Sequence, residues 1–136
     1  MNKAKSLTAY LAEREPAPFD WRTANCTHFA ARFVELVEQR EILARYPMPA
    51  SLAGARRKQR QAGGLQAIVT AQLSREPIAP ALAQLGDVVL LPLNAADPDA
   101  QALGLCCGEQ AALVVEDGTV ALVPMSLALS AWRVAA

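Results

Sequence analysis

The 136 residues carry 13 Lys or Arg, 13 Asp or Glu and a single His, with 53% hydrophobic and 19% charged side chains. That balance excludes a disordered tail, and a net charge of zero excludes a whole-molecule field that would recruit nucleic acid or an anionic membrane. The length suits one domain with one core, spanning residues 1–136.

Ser6 is placed to cap a first helix running to about Glu13, with Leu7, Tyr10 and Leu11 on one face. Lys3 and Lys5 precede it, but no long apolar run follows, and Glu13, Arg14 and Glu15 come soon after. The segment reads as neither a signal peptide nor a transmembrane helix, so a cytoplasmic location is expected. Pro16 and Pro18 stop the helix and extend the chain toward Trp21.

Thr23 or Asn25 can cap a second helix that runs to about Arg40. Phe29, Phe33, Leu36 and Val37 recur at three- and four-residue spacing, the mark of a core-facing stripe. Cys26 falls on that stripe in the first turn, where unpaired N–H groups and the helix dipole favour a thiolate. His28 is two residues on, about 200° around the helix, so the two side chains point apart. His28 is therefore placed on the flank of the helix, at a groove edge or toward solvent.

Pro47 and Pro49 mark a break, after which Ser51 to Ala62 reads as a basic helix punctuated by Gly63-Gly64. Residues 51–75 hold five basic side chains (Arg56, Arg57, Lys58, Arg60 and Arg75) and no acidic ones, whereas 76–136 hold seven acids and one base, Arg133. Leu65, Ile68, Val69 and Leu73 give a further helical face, and Pro77 and Pro80 close the helical half.

Beyond Pro80 the period changes. Gly86-Asp87 opens the run Val88 to Leu91, which reads as a buried strand, and Asn94 to Asp99 is a polar loop. Leu103 to Gly108 is a second strand, in which the adjacent Cys106 and Cys107 fall on opposite faces. Ala111 to Val115 and Val120 to Val123 flank an Asp-Gly turn as a hairpin, and Ala131 to Val134 is a last strand. Helices first and an antiparallel sheet afterwards give an α+β class. Three cysteines, an odd number, argue against a disulfide framework. One histidine and no C-x-x-C pair argue against a zinc site, and nothing calls for a cofactor.

A Trp before an Asn-Cys helix start, a Gly-Asp-Val-Val strand and a Leu-Gly-Leu strand, in that order, resemble the NlpC-type papain-like cysteine peptidases. Phe19-Asp20-Trp21 and Ala131-Trp132-Arg133-Val134 are similar to the opening and closing motifs of a small phage and prophage branch of that superfamily. The resemblance covers residues 19–37 and 85–134. It implies a papain-like fold in which Cys26 takes the nucleophile position and Gly86-Asp87 the strand-opening pair. Active members carry a histidine just before the small strand motif; that position is Ala102 here. The residue that would orient the base falls near Leu113 or Val114, both apolar, and Asn25 and Arg22 replace a usual Asp and Gly.

A cysteine nucleophile needs a base within hydrogen-bond reach. The leading expectation is therefore a catalytically silent NlpC-like domain, used as a tail-associated assembly or interaction module with protein partners. A working amidase or peptidase with Cys26 as nucleophile and an unidentified base is the alternative. A third reading makes residues 56–60 a weak binder of nucleic acid or an acidic partner, against the commoner solvated helix face. Trp21 and His28 are the candidate groove-edge residues. Asp97 and Asp99 solubilise a loop, since carboxylates are poor bases for a thiol.

Overall fold

The apolar stripes read from the sequence meet on one side of a five-stranded sheet. The computed structural model describes residues 3–13, 26–45, 54, 57, 60, 61, 63–93, 96, 100–114 and 119–134, with 13, 26 and 45 described by backbone alone. Its helices are α1 (Lys3–Glu13), α2 (Cys26–Glu38) and α3 (Leu65–Leu73), and Gly54, Arg57, Arg60 and Gln61 are also helical. The strands are β1 (Val88–Pro92), β2 (Gln101–Cys106), β3 (Gln110–Val114), β4 (Val120–Pro124) and β5 (Ser130–Trp132). Their order in the sheet is β4-β3-β2-β1-β5, and every pairing is antiparallel. The α+β expectation is met, with α2 lying on β2 and β3.

α1 begins at Lys3, so Ser6 is a buried residue inside the helix rather than its cap. The earlier start has a cause: Lys3 is anchored by groups far along the chain, described below. Leu7 is buried, and Tyr10 and Leu11 pack on the same core, as expected of that face. The Tyr10 ring lies 5.4 Å from that of Phe29 and 5.3 Å from that of Phe33, and its hydroxyl donates to the Phe29 carbonyl at 2.7 Å. This joins α1 to the first turns of α2.

The buried stripe of α2 is Phe29, Ala30, Phe33 and Val34, with Val37 partly buried behind it. Leu36, expected on the stripe, is 58% exposed. With Ala30 and Val34 buried as well as Phe29 and Phe33, the centre of the stripe lies away from position 36, which turns outward. Gln39, at φ 54°, ends the helix. Glu35 then accepts the N–H groups of Ile42 and Leu43 at 2.8 and 3.1 Å, and so holds the following 3-10 turn Leu43–Arg45.

α3 buries Leu65, Ile68, Val69 and Leu73, all four of its expected face. A polar ladder fixes it on β5. Ser130 donates to Gln66 at 2.6 Å, and the buried Trp132 indole N–H donates to Thr70 at 3.1 Å. Residues four apart on a helix and two apart on a strand advance by nearly the same distance, about 6 Å, so the two pairs stand in step.

Alternation divides the strands between two faces. Val88, Leu90, Leu103, Leu105, Ala112, Val114 and Trp132 join the helices in one core cluster. Val89, Leu91, Ala102, Cys106, Ala111, Leu113 and Ala131 form a second cluster on the far face. That face is covered by two stretches of chain, one containing the 3-10 turn Pro80–Leu82 and the other the 3-10 turn Met125–Leu127. They seat Ile78, Ala83, Met125 and Ala128 against it. The Asp-Gly turn of the β3–β4 hairpin, the breaks at Pro47 and Pro49, and most of the polar loop 94–99 lie outside the described residues.

Candidate functional site

Two places in the fold concentrate chemistry: the start of α2, where the sequence puts a nucleophile, and the end of β1, where a carboxylate is buried. At the first, the described part of α2 starts at Cys26, the residue that the sequence reading puts in the first turn. Its side chain, Trp21 and the capping residues Thr23 and Asn25 lie outside the described residues. His28 is half-buried.

The sheet face that meets α2 is entirely aliphatic along its centre. Val88, Leu90, Leu103, Leu105, Ala112 and Val114 present no titratable atom. Thr27 of the first turn and Leu103 of β2 line one apolar cavity of about 40 Å³, together with Ala30, Val34 and Val69. The first turn of α2 and Leu103 thus border the same apolar space. Ala102, the expected position of a missing base, packs with Val89 and Leu91 in the opposite cluster. The structure does not bring Ala102 to the α2 face, because strand alternation turns it away. By the same alternation Gln101, half-buried at the start of β2, shares the side of Leu103. An amide there can donate or accept a hydrogen bond but cannot take a proton from a thiol at neutral pH. Leu113, one of the two positions expected to hold an orienting residue, also lies on the far face, and Val114 is on the α2 face.

The second place is Asp87, fully buried. Its Oδ1 accepts Lys3 Nζ at 2.6 Å and the Val134 N–H at 2.9 Å, and its Oδ2 accepts the Gln84 N–H at 2.8 Å. Lys3 Nζ donates again to the Val134 carbonyl at 2.8 Å. Arg133 Nη1 approaches Oδ2 to 3.4 Å without forming a hydrogen bond, and its Nη2 donates to the Leu82 carbonyl at 3.0 Å. A buried carboxylate is tolerable only when paired and hydrogen-bonded; this one is held from α1, from the turn before β1 and from the chain after β5. Gly86 makes the arrangement fit. Its φ is +88°, and a Cβ on it would sit 2.5 Å from Lys3 Cγ. The Gly-Asp pair is thus structural. Its partner Lys3, 84 residues away, leaves no local signal in the sequence.

A second ionic group ties the helices together. Glu38 accepts from Arg40 at 2.9 Å and from Arg75, which also donates to the Arg133 carbonyl at 3.0 Å. Arg75 thereby links the end of α2 to the chain after β5. Of the basic segment, Arg57 and Arg60 are exposed on helical backbone, while Arg56, Lys58 and Gln59 lie outside the described residues, as do Asp97 and Asp99.

Cys106 and Cys107 fall on opposite faces, as alternation requires, and both are free thiols. Burial pushes the Cys107 thiol above its ordinary value and the Cys106 thiol adds to the rise, offset in part by a backbone hydrogen bond from Ala112. Such a group is a poor nucleophile. Among the described residues no three His, Cys, Asp or Glu side chains are grouped as metal ligands, and no helix is long and apolar enough to cross a membrane.

Compared with known families, residues 2–134 match the model of a domain of unknown function, DUF6950. No curated protein matches the chain.

Proposed function

We propose that this chain, a member of the DUF6950 family, is a papain-like domain without catalytic activity that serves as an assembly or interaction module. The observation that carries this reading is the aliphatic face opposite α2. A helix begins at a cysteine and packs on an antiparallel sheet, which is the layout expected of a papain-like fold. Among the described residues, the sheet positions that pack with the helices include Leu90, Leu103, Leu105, Ala112 and Val114, none of which can act as a base, and this supports the reading. The single histidine of the chain is on α2 itself, two residues from Cys26. Thiolate attack on an amide needs a group to take the thiol proton and return it to the leaving amine. Acid–base transfer of that kind typically contributes 10²–10⁴-fold. A helix dipole favours the thiolate but cannot protonate a leaving group.

The sequence motifs at residues 19–21 and 131–134 support a phage or prophage setting, in which the module joins tail-associated protein partners. The exposed Arg57 and Arg60 lie on a helix in a chain of zero net charge, which supports a solvated face over a nucleic-acid site. The test is paired. Peptidoglycan fragments and peptide amides are incubated with the full chain and with Cys26→Ala, and Cys26 is titrated with an alkylating probe. Alkylation without turnover is expected. Turnover by the unmodified chain that is lost in Cys26→Ala would defeat the silent-domain reading and establish a cysteine hydrolase with an unrecognised base.

A further inference from the structure

Between α2, α3 and the 3-10 turn Leu43–Arg45 the molecule carries a hole and a trough that share a wall. The hole is the apolar cavity of about 40 Å³ that borders Leu103. Buried Val34, Ile68 and Val69 line its depth, and half-buried Ala31 and Leu43 line its mouth. Leu43 also lines the trough, an open depression of about 490 Å³ bordered by Arg32, Glu35, Arg40 and Glu41. Ala31 and Arg32 are consecutive, so the hole and the trough adjoin along α2 as well.

The size of the hole narrows what can enter it. A water needs about 10–15 Å³ of such space and two to four polar partners. The hole has room for about three groups of that size, and its lining exposes only apolar surface. It therefore suits the branched end of one aliphatic side chain and holds water poorly. A lipid chain fits badly. Beyond its first few carbons it would lie along the trough and desolvate the charges there.

The charges of the trough are only partly engaged. Glu35 accepts the Ile42 and Leu43 N–H groups, and Arg40 is bonded to Glu38 and reaches the Leu73 carbonyl. Arg32, with its side chain 61% exposed, comes no closer than 3.9 Å to Glu35, which is beyond hydrogen-bond distance. Glu41 is exposed and has no hydrogen bond or ion pair among the described residues. One cation and one anion thus stand unengaged beside an apolar hole.

We infer that the hole and the trough together receive an extended segment of a protein partner, bearing one aliphatic side chain flanked by a carboxylate for Arg32 and a basic group for Glu41. The inference rests on the interaction-module reading and names the chemistry of its partner. Charge complementarity selects a polypeptide. A nucleic acid brings phosphates of one sign, which Glu41 repels, and no aliphatic group for the hole. A free aliphatic amino acid would fill the hole but leave most of the trough empty. An apolar centre with a charged rim is the ordinary make-up of a protein–protein contact.

Titration of the full chain, followed by NMR of the Val69 and Leu103 methyl groups, tests it. The probes are acetyl-Glu-Leu-Lys-amide and acetyl-Lys-Leu-Glu-amide. The one whose order matches the direction of the trough is expected to shift both residues' methyl signals. Its counterpart with alanine in place of leucine should bind at least about tenfold more weakly, the loss expected when one aliphatic side chain is no longer buried. Arg32→Gln and Glu41→Gln, both at exposed positions, should each weaken binding about two- to fivefold at low salt and have little effect at about 1 M salt. Circular dichroism verifies that both variants fold. Methyl signals unmoved by either peptide overturn the inference. So does an alanine peptide that binds as well as its leucine counterpart, or binding indifferent to both charge variants. Octanoate or free leucine bound as tightly as the peptide also overturns it, and assigns the hole to a lipid chain or a free amino acid. Failure of the silent-domain reading shows separately, as turnover lost in Cys26→Ala, a comparison in which neither Arg32 nor Glu41 is changed.

Discussion

On the α2 side the sheet presents Val88, Leu90, Leu103, Leu105 and Trp132; on the other it presents Ala102, Gly104, Cys106, Ala111 and Ala131 among larger neighbours. The contrast follows from what covers each face. A helix axis stands about 10 Å from a sheet, so long side chains must fill the gap. An extended segment can lie directly on a sheet, but only where the side chains beneath it are small. Gly104 is small for a different reason: a Cβ there would come 2.6 Å from the carbonyl oxygen of Ala112 on the neighbouring strand β3. The large-residue face thus receives helices, and the small-residue face receives the stretches around 78–85 and 125–129. The second arrangement leaves Leu82, Leu85, Leu127 and Leu129 of those stretches exposed.

The end of β1 is where the two layers are tied, and breaking it gives the largest expected effect. Asp87 bonds Lys3 from the helical layer and faces Arg133, which reaches Leu82 of the far cover. Asp87→Ala removes the anion and leaves Lys3 buried with a cation beside it. Breaking a buried pair from one side costs about 3–5 kcal/mol. The urea midpoint should fall accordingly, and a variant within about 1 kcal/mol of the parent would show that the layers hold without the tie.

The faces themselves should respond with opposite sign to volume. Leu103→Ala empties space under α2 and should cost about 2–5 kcal/mol, while adding bulk at its far-face neighbour, Ala102→Leu, should cost about 1–3 kcal/mol by overpacking. The pair is sharpened by the converse substitutions. Leu103→Met should be nearly neutral and Ala102→Gly should cost less than Ala102→Leu. Denaturation of the four variants checks this, and a far face that accepts Leu at 102 freely would mean that its cover is loose.

These contrasts explain what the sequence discloses. Val88 to Leu91 is apolar without alternation because both faces of β1 are covered, and it is readable for that reason. The four buried residues of α3 are readable because large aliphatic side chains mark helical spacing. Ala30 is not, since a small residue contributes little to a hydrophobic pattern even when it is buried, and so periodicity alone puts Leu36 on the wrong side. The motif around Ala102 locates a strand but not which face each residue takes. Pairing supplies that, through Leu91 opposite Ala102 and Leu90 opposite Leu103. Lys3 is unreadable because its partner Asp87 lies 84 residues away.

The smallest effect concerns the thiols that straddle the two faces. Cys107 packs half-buried against the α2-side cluster, while Cys106 is enclosed on the far face. Burial first, and the Cys106 thiol second, raise the Cys107 pKa above the ordinary 9.0. Below 9.0 the thiol is protonated in both folded and unfolded chains, and stability is unaffected by it. Above 9.0 the unfolded chain ionises first, so the folded state loses stability as pH rises, until the raised folded value is passed. Between those two pH values the slope is at most about 1.4 kcal/mol per pH unit, so the fall is gentle. Urea midpoints of the parent chain and of Cys107→Ala, compared on either side of 9.0, isolate this group from the others that titrate there. The parent should lose more stability than the variant on crossing that value, and its Cys107 should react with iodoacetamide more slowly than a free thiol. Identical pH slopes in the two chains would mean that Cys107 is more open to water than its place beneath the helical layer requires.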